Sequence, residues 1–476
     1  MSPWTWAFVV VQFSILAYFA ILNFLFALFG YLGLRAVTVY ARDLSTAALK
    51  NILERELEMP VSILVAAYNE EAGIVASLHS MLSLHYPEFE VIVASDGSTD
   101  RTMELLTEHF ALVVDPRIYR RSLPTEPVLR IFRSLRHPNL VVVEKVRGGR
   151  ADALNAAMNM ARYPLIAAVD ADSLLDAEAI LRASRLFLED ETVIGVGGTI
   201  RPLNGAVLVD GRVAGLQMPS GWIERYQVLE YARAFFTGRA GWSSLGGLLV
   251  ISGAFGLFRR DPVIEAGGYS TDTVCEDIEL TVRIHRKYKR AGTPYKILFS
   301  PDPICWTEVP RSMKVLRSQR NRWHRGLWET LWRYRRMLFN PRYGTVGMVA
   351  LPYFWVFEGL APLVEVLGYV MLPLSFFFGF LFWQFAVLFL FLAVMLGMLM
   401  SQVSVGIETL LLARYPRTRD RLILFLAGFL EFFGYRQVLT VERVIAMFQI
   451  RTKRRTWGIM TRHGISSPVM AGRSRP

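Results

Sequence analysis

Cysteine is scarce in this sequence, because only Cys275 and Cys305 occur among 476 residues. Two cysteines cannot form a disulfide framework, so we expect a reduced, cytosolic environment for the soluble part of the chain. Charge is absent from residues 6–34, a run of 29 residues that is long enough to cross a bilayer as one helix. No Lys or Arg precedes this run, which excludes the basic first region of a signal peptide.

Acidic residues are scarce in two segments of the C-terminal half. Residues 311–342 hold ten Lys or Arg and a single acid, Glu329, whereas residues 451–475 hold seven Lys or Arg and no acid. The net charge of the chain is +12, and 53% of its residues are hydrophobic. A basic chain with long apolar segments favours anionic lipid headgroups or phosphorylated substrates as partners, and we expect no nucleic acid partner.

The distribution of apolar and basic segments predicts a multi-pass protein of the cytoplasmic membrane. The positive-inside rule places the residues after the first apolar run in the cytoplasm, together with the soluble domain. The predicted regions are an N-terminal transmembrane helix (1–35), a linker helix (36–59), a cytoplasmic domain (60–310), an amphipathic interfacial helix (311–342), a C-terminal transmembrane and interfacial region (343–450) and a basic cytoplasmic tail (451–476).

The C-terminal region leaves alternatives open. Crossing helices are predicted near 359–380 and 383–411, with an interfacial segment over 347–358. Residues 422–450 carry charged residues and have basic flanks on both sides, which favours an interfacial or re-entrant helix, with a true crossing as the alternative. Glu358 and Glu365 either line a protein or water path or lie at the level of the headgroups.

Short apolar runs alternate with helical segments in the soluble domain. The predicted strands are Val61–Ala67, 91–94, 140–143, 165–169, 249–258 and 295–299, and the predicted helices include 70–84, 101–110, 151–161 and 276–288. Asn69 can cap the first of these helices. The alternation predicts an α/β domain with a doubly wound, parallel sheet. Residues 111–139 are predicted as a connection with no assigned role.

Two acids, Asp170 and Asp172, follow the fourth predicted strand. Side chains at i and i+2 of a strand point the same way, and adjacent carboxylates repel each other unless a cation lies between them. Mg²⁺ or Mn²⁺ shared with phosphates would meet this need, and a turn with solvated acids is the alternative. Because ligands of such sheets bind at the carboxyl ends of strands, we expect Asn69, Asp96, Arg150 and Asp172 to share one crevice.

Short motifs that carry polar residues occur in a fixed order along the chain. They are VSILVAAYNEE at 61–71, SDGSTD at 95–100, GGRADALN at 148–155, DAD at 170–172, ED at 276–277 and QRNRW at 319–323. In this order and spacing, the chain resembles membrane-embedded family 2 glycosyltransferases, which include the processive synthases of cellulose, chitin, hyaluronan and poly-N-acetylglucosamine. The resemblance covers about residues 60–330 and implies a doubly wound, Rossmann-like GT-A domain with transmembrane and interfacial helices.

The resemblance implies a UDP-sugar donor and a divalent metal, Mg²⁺ or Mn²⁺. An acid at the position of Asp96 binds uracil in the family, which an accepting carboxylate beside a pyrimidine N–H explains, whereas an ordinary turn acid is the alternative. Asp172 corresponds to the metal ligand, with Asp170 at the metal and towards the ribose. Arg150 stands where the family usually has Lys, and its planar fork would meet phosphate. The other donor-binding positions are Ala67 and Tyr68 for the base, Glu70 for the ribose, and Gln319, Arg320 and Arg322 for the diphosphate.

The resemblance also implies a catalytic base, Asp277, which takes a proton from the acceptor hydroxyl. An acid stabilised at a helix N-terminus is the other interpretation of this residue. One base and one metal imply direct displacement with inversion, so that an α-linked donor gives a β-linkage. Cys275 stands where many relatives have Thr. The acceptor positions are Ser252, Gly253, Glu276, Trp306 and Trp323, and Trp323 is alternatively an interface anchor.

These expectations combine into a polymerising β-glycosyltransferase that uses a UDP-sugar and a glycan acceptor and passes the growing chain between its membrane helices. Transfer of one sugar to a lipid or polyprenyl-phosphate acceptor is the first alternative. A non-catalytic subunit that binds nucleotide sugars or polysaccharide is the second. An accessory membrane, periplasmic or extracellular partner is left open.

Overall fold

The computed structural model describes residues 3–43, 59–209, 212–379, 383–406, 417–450 and 452. The described residues divide into two compact units, each assembled from separate stretches of the chain. The first unit takes 3–38, 220–247 and most of 310–452, and the second takes 39–43, 59–219 and 248–309 with the gaps given above. Most of the predicted linker helix and almost all of the predicted basic tail lie outside the described residues. The predicted domain boundaries stay predictions.

The strands all belong to the second unit, and the helices are distributed over both. The strands are β1 (Val61–Ala67), β2 (Phe89–Asp96), β3 (Leu112–Val114), β4 (Val128–Ser134), β5 (Leu140–Lys145), β6 (Leu165–Asp170), β7 (Leu174–Leu175), β8 (Val193–Pro202), β9 (Ala206–Val209), β10 (Arg212–Leu216), β11 (Phe255–Arg259) and β12 (Lys296–Thr307). The helices are α1 (Pro3–Asp43), α2 (Ile74–Leu82), α3 (Thr102–Phe110), α4 (Arg150–Met160), α5 (Ala179–Glu189), α6 (Trp222–Ala232), α7 (Ala240–Ser244), α8 (Arg260–Glu265), α9 (Glu276–Ala291), α10 (Met313–Arg333), α11 (Leu351–Tyr353), α12 (Ala361–Phe377), α13 (Trp383–Leu390), α14 (Leu396–Gly406), α15 (Thr418–Leu430) and α16 (Tyr435–Gln449).

The second unit is built on a sheet whose strand order is β3-β4-β5-β2-β1-β6-β11-β8-β12-β7. Its four central strands, β5, β2, β1 and β6, run parallel, as the sequence predicts. Helices cover a parallel sheet on both faces, which is why the strands read as continuous apolar runs rather than alternating ones. The side chains of Ile63, Leu64 and Val93 are accordingly buried.

The sheet is mixed, because strands on either side of its parallel centre run antiparallel to their neighbours. Residues 111–139 contain β3 and β4, which pair antiparallel with each other, and β4 also runs antiparallel to β5. On the other side, β11 runs antiparallel to β6 and β8. The missed strand β4 lies near the edge of the sheet and exposes Leu129, Arg130 and Arg133. Because these positions are exposed, β4 lacks the continuous apolar run by which the central strands were predicted.

The first helix of the second unit starts later than predicted. Helix α2 begins at Ile74 after Gly73, and no side chain caps it. Asn69 adopts a positive φ of 55° and uses its side-chain oxygen to accept the N–H of Thr99 at 2.8 Å. Asn69 therefore ties two loops together, and the prediction that it caps a helix is wrong.

The first unit is helical and contains three helical stretches that are long and apolar enough to cross a membrane, within the described ranges. They are Trp6–Tyr40, Val346–Phe377 and Trp383–Gly406. The first and third agree with the predicted crossings. Residues 347–358 were expected as a separate interfacial segment, but they are helical or π-helical and continuous with α12, so the second stretch starts earlier than predicted.

The last two helices bear on the alternatives for residues 422–450. Helices α15 and α16 are bent by 53° at a short break, the geometry of a broken span or a re-entrant loop. Helix α16 packs on the basic helix α10 through Leu316, Tyr435 and Leu439. The side chains of both acids in the predicted membrane region contact the same helix, because Thr440 donates to the Glu365 carboxylate at 2.6 Å and Arg443 donates to the Glu358 carboxylate at 3.5 Å.

Candidate active site

The carboxyl ends of the parallel strands bring several predicted site residues to one edge of the second unit. In the register of the sheet, Ala66 lies opposite Asp170, and Asp96 lies opposite Lys145. Tyr68 follows one residue after β1 ends. Positions taken from three distant motifs are thus neighbours, as the crossover connections of a parallel sheet require.

The loop after β1 is held against the loop after β2. The N–H of Glu70 donates to the hydroxyl of Thr102 at 2.9 Å, and the N–H of Glu71 donates to Asp100 at 3.1 Å. Above this loop, the guanidinium carbon of Arg147 lies 4.2 Å from the centre of the Tyr68 ring, within the range of a cation–π contact. The backbone of Ala67 and the ring of Tyr68 therefore stand in a fixed frame at the predicted base site.

Asp96 is buried and anchors the glycine turn that precedes α4. Its Oδ1 accepts from the N–H of Gly148 at 2.8 Å, and its Oδ2 accepts from the N–H of Gly149 at 2.7 Å. Lys145 donates to the same Oδ1 at 2.7 Å. The side chain predicted to bind uracil thus also fixes the turn from which Arg150 emerges.

Arg150 bridges groups from three segments of the chain. Its Nε donates to Asp170 Oδ1 at 2.9 Å, its Nη1 pairs with Glu276, and its Nη2 donates to the carbonyl of Gly253 at 2.6 Å. Burial alone would lower the pKa of this guanidinium, but the carboxylates of Asp170 and Glu276 outweigh burial and raise it. The fork of an arginine can hold several acceptors at once, which a lysine ammonium does with less directional control.

The paired acids at the end of β6 differ in their surroundings. Burial, together with the nearby negative charges of Asp170 and Glu308, raises the pKa of Asp172 to about 7. A buried carboxyl beside other carboxylates is a group that a bound cation stabilises. No set of three His, Cys, Asp or Glu side chains converges as a metal cage in the described residues. The two acids nevertheless fit Mg²⁺ or Mn²⁺, which proteins often hold through one or two carboxylates, with phosphates and water completing the shell.

Asp277 lies half-buried in the first turn of α9, beside the Arg150 bridge. Its Oδ2 accepts from the N–H of Gly253 at 3.1 Å, and its Oδ1 accepts from the N–H of Ile278 at 2.8 Å. Gly253 therefore contacts Arg150 through its carbonyl and Asp277 through its N–H. The loop that contains Ser252 and Gly253 couples the end of β6 to the start of α9.

Trp306 does not present its ring to this edge. Its side chain is 3% exposed and packs with Leu174 and Leu203 under the β9–β10 hairpin. The guanidinium carbon of Arg201 also lies 5.7 Å from the centre of this ring, within the range of a cation–π contact. The structure buries Trp306 in this cluster, and its role in binding the acceptor stays a prediction.

The QRNRW motif lies on α10, in the first unit. Arg320 is buried, donates to Gln319 at 2.9 Å and pairs with Glu230. The guanidinium carbon of Arg320 also lies 4.2 Å from the ring centre of Trp323, which is 41% exposed. Arg322 is half-buried one position before this tryptophan. The indole thus keeps an accessible face, whereas Arg320 is engaged within its own unit.

The comparison with protein families decides which family this arrangement represents. A family model described as "Glycosyltransferase like family 2" matches residues 59–326, which is more than half of the chain. The chain belongs to this family. The match includes every strand of the second unit and most of α10. The predicted family 2 glycosyltransferase is therefore confirmed.

Among curated proteins, this family 2 glycosyltransferase is similar to named polysaccharide synthases. The poly-β-1,6-N-acetyl-D-glucosamine synthase of Staphylococcus epidermidis is 29% identical over 273 residues, or 57% of this chain and 56% of that protein. The synthase of the same name from Staphylococcus aureus strain COL is 28% identical over 274 residues, with the same shares of 57% and 56%. The chain spans about half the length of the curated relatives it matches.

A solved structure gives the fold of the family 2 glycosyltransferase. The mannosyltransferase PcManGT of Pyrobaculum calidifontis, solved in complex with GDP-Man and Mn²⁺, superposes with a TM-score of 0.51 at 18% identity. The superposition covers 91% of this chain and 100% of that one. The predicted GT-A fold is confirmed by this likeness together with the mixed sheet described above.

Sequence reasoning missed three residues of the candidate site at this edge of the sheet. Lys145 and Asp152 form an ion pair at 2.6 Å, and Arg147 covers Tyr68. The signal for Lys145 was present, because a lysine ends the strand LVVVEK shortly before a Gly-Gly turn. Asp152 and Arg147 stand in polar surroundings in which a solvated charge is the ordinary expectation. The roles assigned to the other site residues stay predictions.

Proposed function

We propose that this glycosyltransferase transfers N-acetylglucosamine from a UDP donor with inversion, and that it builds a β-linked polysaccharide. The observation that carries the mechanism is the grouping of Asp170, Arg150, Glu276 and Asp277 around the backbone of Gly253. The sugar is proposed from the name of the curated relatives, which are poly-β-1,6-N-acetyl-D-glucosamine synthases. UDP as the carrier follows from Asp96 at the predicted base site.

In the proposed reaction, Asp277 is the base and the acceptor hydroxyl is the nucleophile. The hydroxyl oxygen forms a bond to the anomeric carbon while the bond from that carbon to the diphosphate oxygen breaks, and the electron pair leaves with UDP. The hydroxyl proton passes to the Asp277 carboxylate. The N–H of Gly253 holds Oδ2 of this carboxylate, so that its orientation is set before the acceptor binds.

Residues at the end of β6 would stabilise the leaving diphosphate. Asp172 and Asp170 would hold Mg²⁺ or Mn²⁺, which supplies charge neutralisation for the departing diphosphate. Arg150 orients Asp170 through its guanidinium and keeps Glu276 at the start of α9. No second carboxylate is placed to form a covalent glycosyl-enzyme in the proposed scheme, and direct displacement converts an α-linked donor into a β-linkage.

Processive synthesis is proposed over single-sugar transfer. Trp323 has an exposed face, and the first unit has long apolar stretches. Both suit an acceptor chain that stays bound after each transfer and passes between the membrane helices. We place the enzyme in the cytoplasmic membrane with the second unit on the cytoplasmic side, because basic segments flank its apolar stretches. Labelling of an introduced surface cysteine in the second unit, in sealed inside-out and right-side-out vesicles, tests this orientation.

Radiolabelled UDP-N-acetylglucosamine supplied to purified membranes, with EDTA and then with added Mn²⁺ or Mg²⁺, tests the function. We expect transfer that EDTA abolishes and metal restores, and a product that forms a ladder or a polymer. A single labelled glycolipid would overturn processivity and support the lipid-acceptor alternative. No transfer from this or another common UDP-sugar by the intact protein would overturn the proposed donor.

A further inference from the structure

Lys145, the last residue of β5, is a fully buried lysine with two carboxylate partners. Its Nζ lies 2.7 Å from Oδ1 of Asp96 and 2.6 Å from Oδ1 of Asp152, and none of its side chain is exposed. A buried ammonium is costly unless opposite charges and hydrogen bonds surround it. Two carboxylates beside one ammonium leave the cluster with a net charge of minus one. The lysine therefore does not fully neutralise its two partners.

The cluster ties together segments that are distant in sequence. Asp96 ends β2 and also accepts the N–H groups of Gly148 and Gly149. Asp152, in the first turn of α4, accepts the N–H of Glu126 at 3.1 Å. The turn is closed tightly onto this acid, because a Cβ added at Gly148 would lie 2.6 Å from the Asp152 carboxyl group. A small movement of Lys145 would therefore shift the Asp96 carboxylate.

The hydrogen bonds divide the two oxygens of Asp96. Oδ1 accepts from both Lys145 and Gly148, whereas Oδ2 accepts only from Gly149 in the part of the chain that the structure describes. A carboxylate oxygen offers about two lone-pair directions. Oδ1 is thus fully used, and Oδ2 keeps one direction in which to accept another donor.

We propose that Lys145 is a positioning residue that sets the nucleobase selectivity of the donor site, an inference that rests on the proposed function. By holding Oδ1, it leaves Oδ2 as a single, oriented acceptor. That acceptor suits a base with an N–H at its Watson–Crick edge, as uracil has at N3. Cytosine presents a lone pair at N3, which a fixed carboxylate repels. A site built around a hydrogen-bond donor rejects an analogue that lacks the donor by a large factor, because its polar group is left unpaired.

Binding of UDP and CDP to the full-length protein in detergent, measured by titration calorimetry, tests this role. Lys145→Met alone leaves two buried carboxylates facing each other and is expected to fold poorly. The double variant Lys145→Met, Asp152→Asn keeps the net charge of the cluster and avoids that repulsion. Lys287→Met, Glu265→Gln is the matched control, because this lysine–acid pair at 2.8 Å lies on the surface.

In the wild type and the control we expect UDP to bind at least about 100-fold more tightly than CDP. In the double variant we expect UDP affinity to fall about tenfold and the preference over CDP to shrink towards one, with kcat at saturating donor within about threefold. Asp152→Asn, which leaves Lys145 on Asp96, should keep most of the preference.

A purely structural role predicts a different pattern. Thermal stability would fall in the double variant, but the ratio of UDP to CDP affinity would not change, and this result overturns the positioning role alone. If the wild type bound no UDP, this result would contradict both the proposed UDP donor and the role proposed for Lys145. The two failures are distinguished by the wild-type titration.

Discussion

The backbone N–H of Gly253 donates a hydrogen bond to Oδ2 of Asp277 at 3.1 Å. The carbonyl of the same glycine accepts from Arg150 at 2.6 Å, and Arg150 also holds Asp170 at the end of β6. A single loop residue therefore joins the proposed base to the proposed metal side of the site. The backbone of Gly253 and the guanidinium of Arg150 together set the relative placement of Asp277 and Asp170.

Replacement of Asp277 by Asn is expected to abolish transfer while UDP binding is kept. An amide cannot take the acceptor proton, and loss of a general base costs about 10²–10⁴-fold in rate. Turnover of labelled donor and UDP affinity are measured in parallel. Asp261→Asn is the control, since that side chain is 76% exposed on α8. Turnover near the wild-type rate in Asp277→Asn would remove this residue from the role of base.

Replacement of Gly253 by Ala is expected to slow transfer about tenfold, which corresponds to about 1.4 kcal/mol in the barrier. The added Cβ would lie 3.3 Å from Nη2 of Arg150, so the loop or the guanidinium has to move by a few tenths of an ångström. Such a shift misaligns the N–H that holds Asp277. Gly215→Ala is the matched control, because nothing lies within 4 Å of a Cβ there. Equal activities of the two variants would contradict the coupling through Gly253.

Sequence reasoning predicted an element correctly where burial on both faces produces a continuous apolar run in the sequence. The apolar run Val61–Ala67 matches β1 residue for residue, because a strand covered on both faces needs an apolar side chain at nearly every position. It failed for β4, whose exposed positions near the sheet edge interrupt the pattern. Asn69 was misjudged because a capping residue and a residue that bridges two loops have the same composition signal. The burial of Trp306 depends on the hairpin folded over it, which no local pattern encodes.

The order of the motifs predicts which residues form the candidate site, but it does not predict the hydrogen bonds between them. Asn69, Asp96, Arg150 and Asp172 were expected to share one crevice. In the second unit, Asp96 holds the glycine turn before Arg150, and Arg150 donates to Asp170 at the end of β6. The partners of Arg150 could not be inferred, because they depend on side-chain directions at three separate segments. Lys145 was missed since a charged residue at a strand end is ordinarily solvated.

The first unit contains a buried ion pair whose loss should be costly. Arg233 donates to Glu431 at 3.1 Å through Nη2, and Glu431 also accepts from Ser401 at 2.7 Å. Glu431 has no exposed surface, so Arg233→Met is expected to lower the free energy of unfolding by about 3–5 kcal/mol. The double variant Arg233→Met, Glu431→Gln should recover part of that loss, as judged by thermal unfolding in detergent. Equal melting temperatures for the single and double variants would contradict this account.

The stability of the second unit should depend on pH through His285. Burial lowers the pKa of His285 from 6.5 to about 4. Nε2 of the neutral ring donates to the Leu248 carbonyl at 2.9 Å, and Nδ1 accepts from the Tyr295 hydroxyl at 2.6 Å. As the pH falls through about 6.5, the unfolded chain takes up a proton first. The stabilisation is therefore complete above that pH and is lost progressively down to about pH 4, by up to about 3 kcal/mol.

Melting temperatures between pH 7.5 and pH 4.5 measure this effect. His285→Gln should be less stable than the wild type at pH 7.5 and should show a smaller further loss as the pH is lowered. His85→Gln, at an exposed position, serves as the control and should follow the wild-type profile. Parallel profiles for His285→Gln and the wild type would mean that another group carries the pH dependence.

The most direct test of the central claim is the anomeric configuration of the product that purified protein makes from UDP-α-N-acetylglucosamine, followed by proton NMR with Mn²⁺ removed before the spectra are recorded. Inverting displacement at this site predicts a β-linked product and UDP in equal amounts, and neither in the Asp277→Asn variant. An α-linked product, or donor turnover that survives the loss of the Asp277 carboxylate, would contradict it.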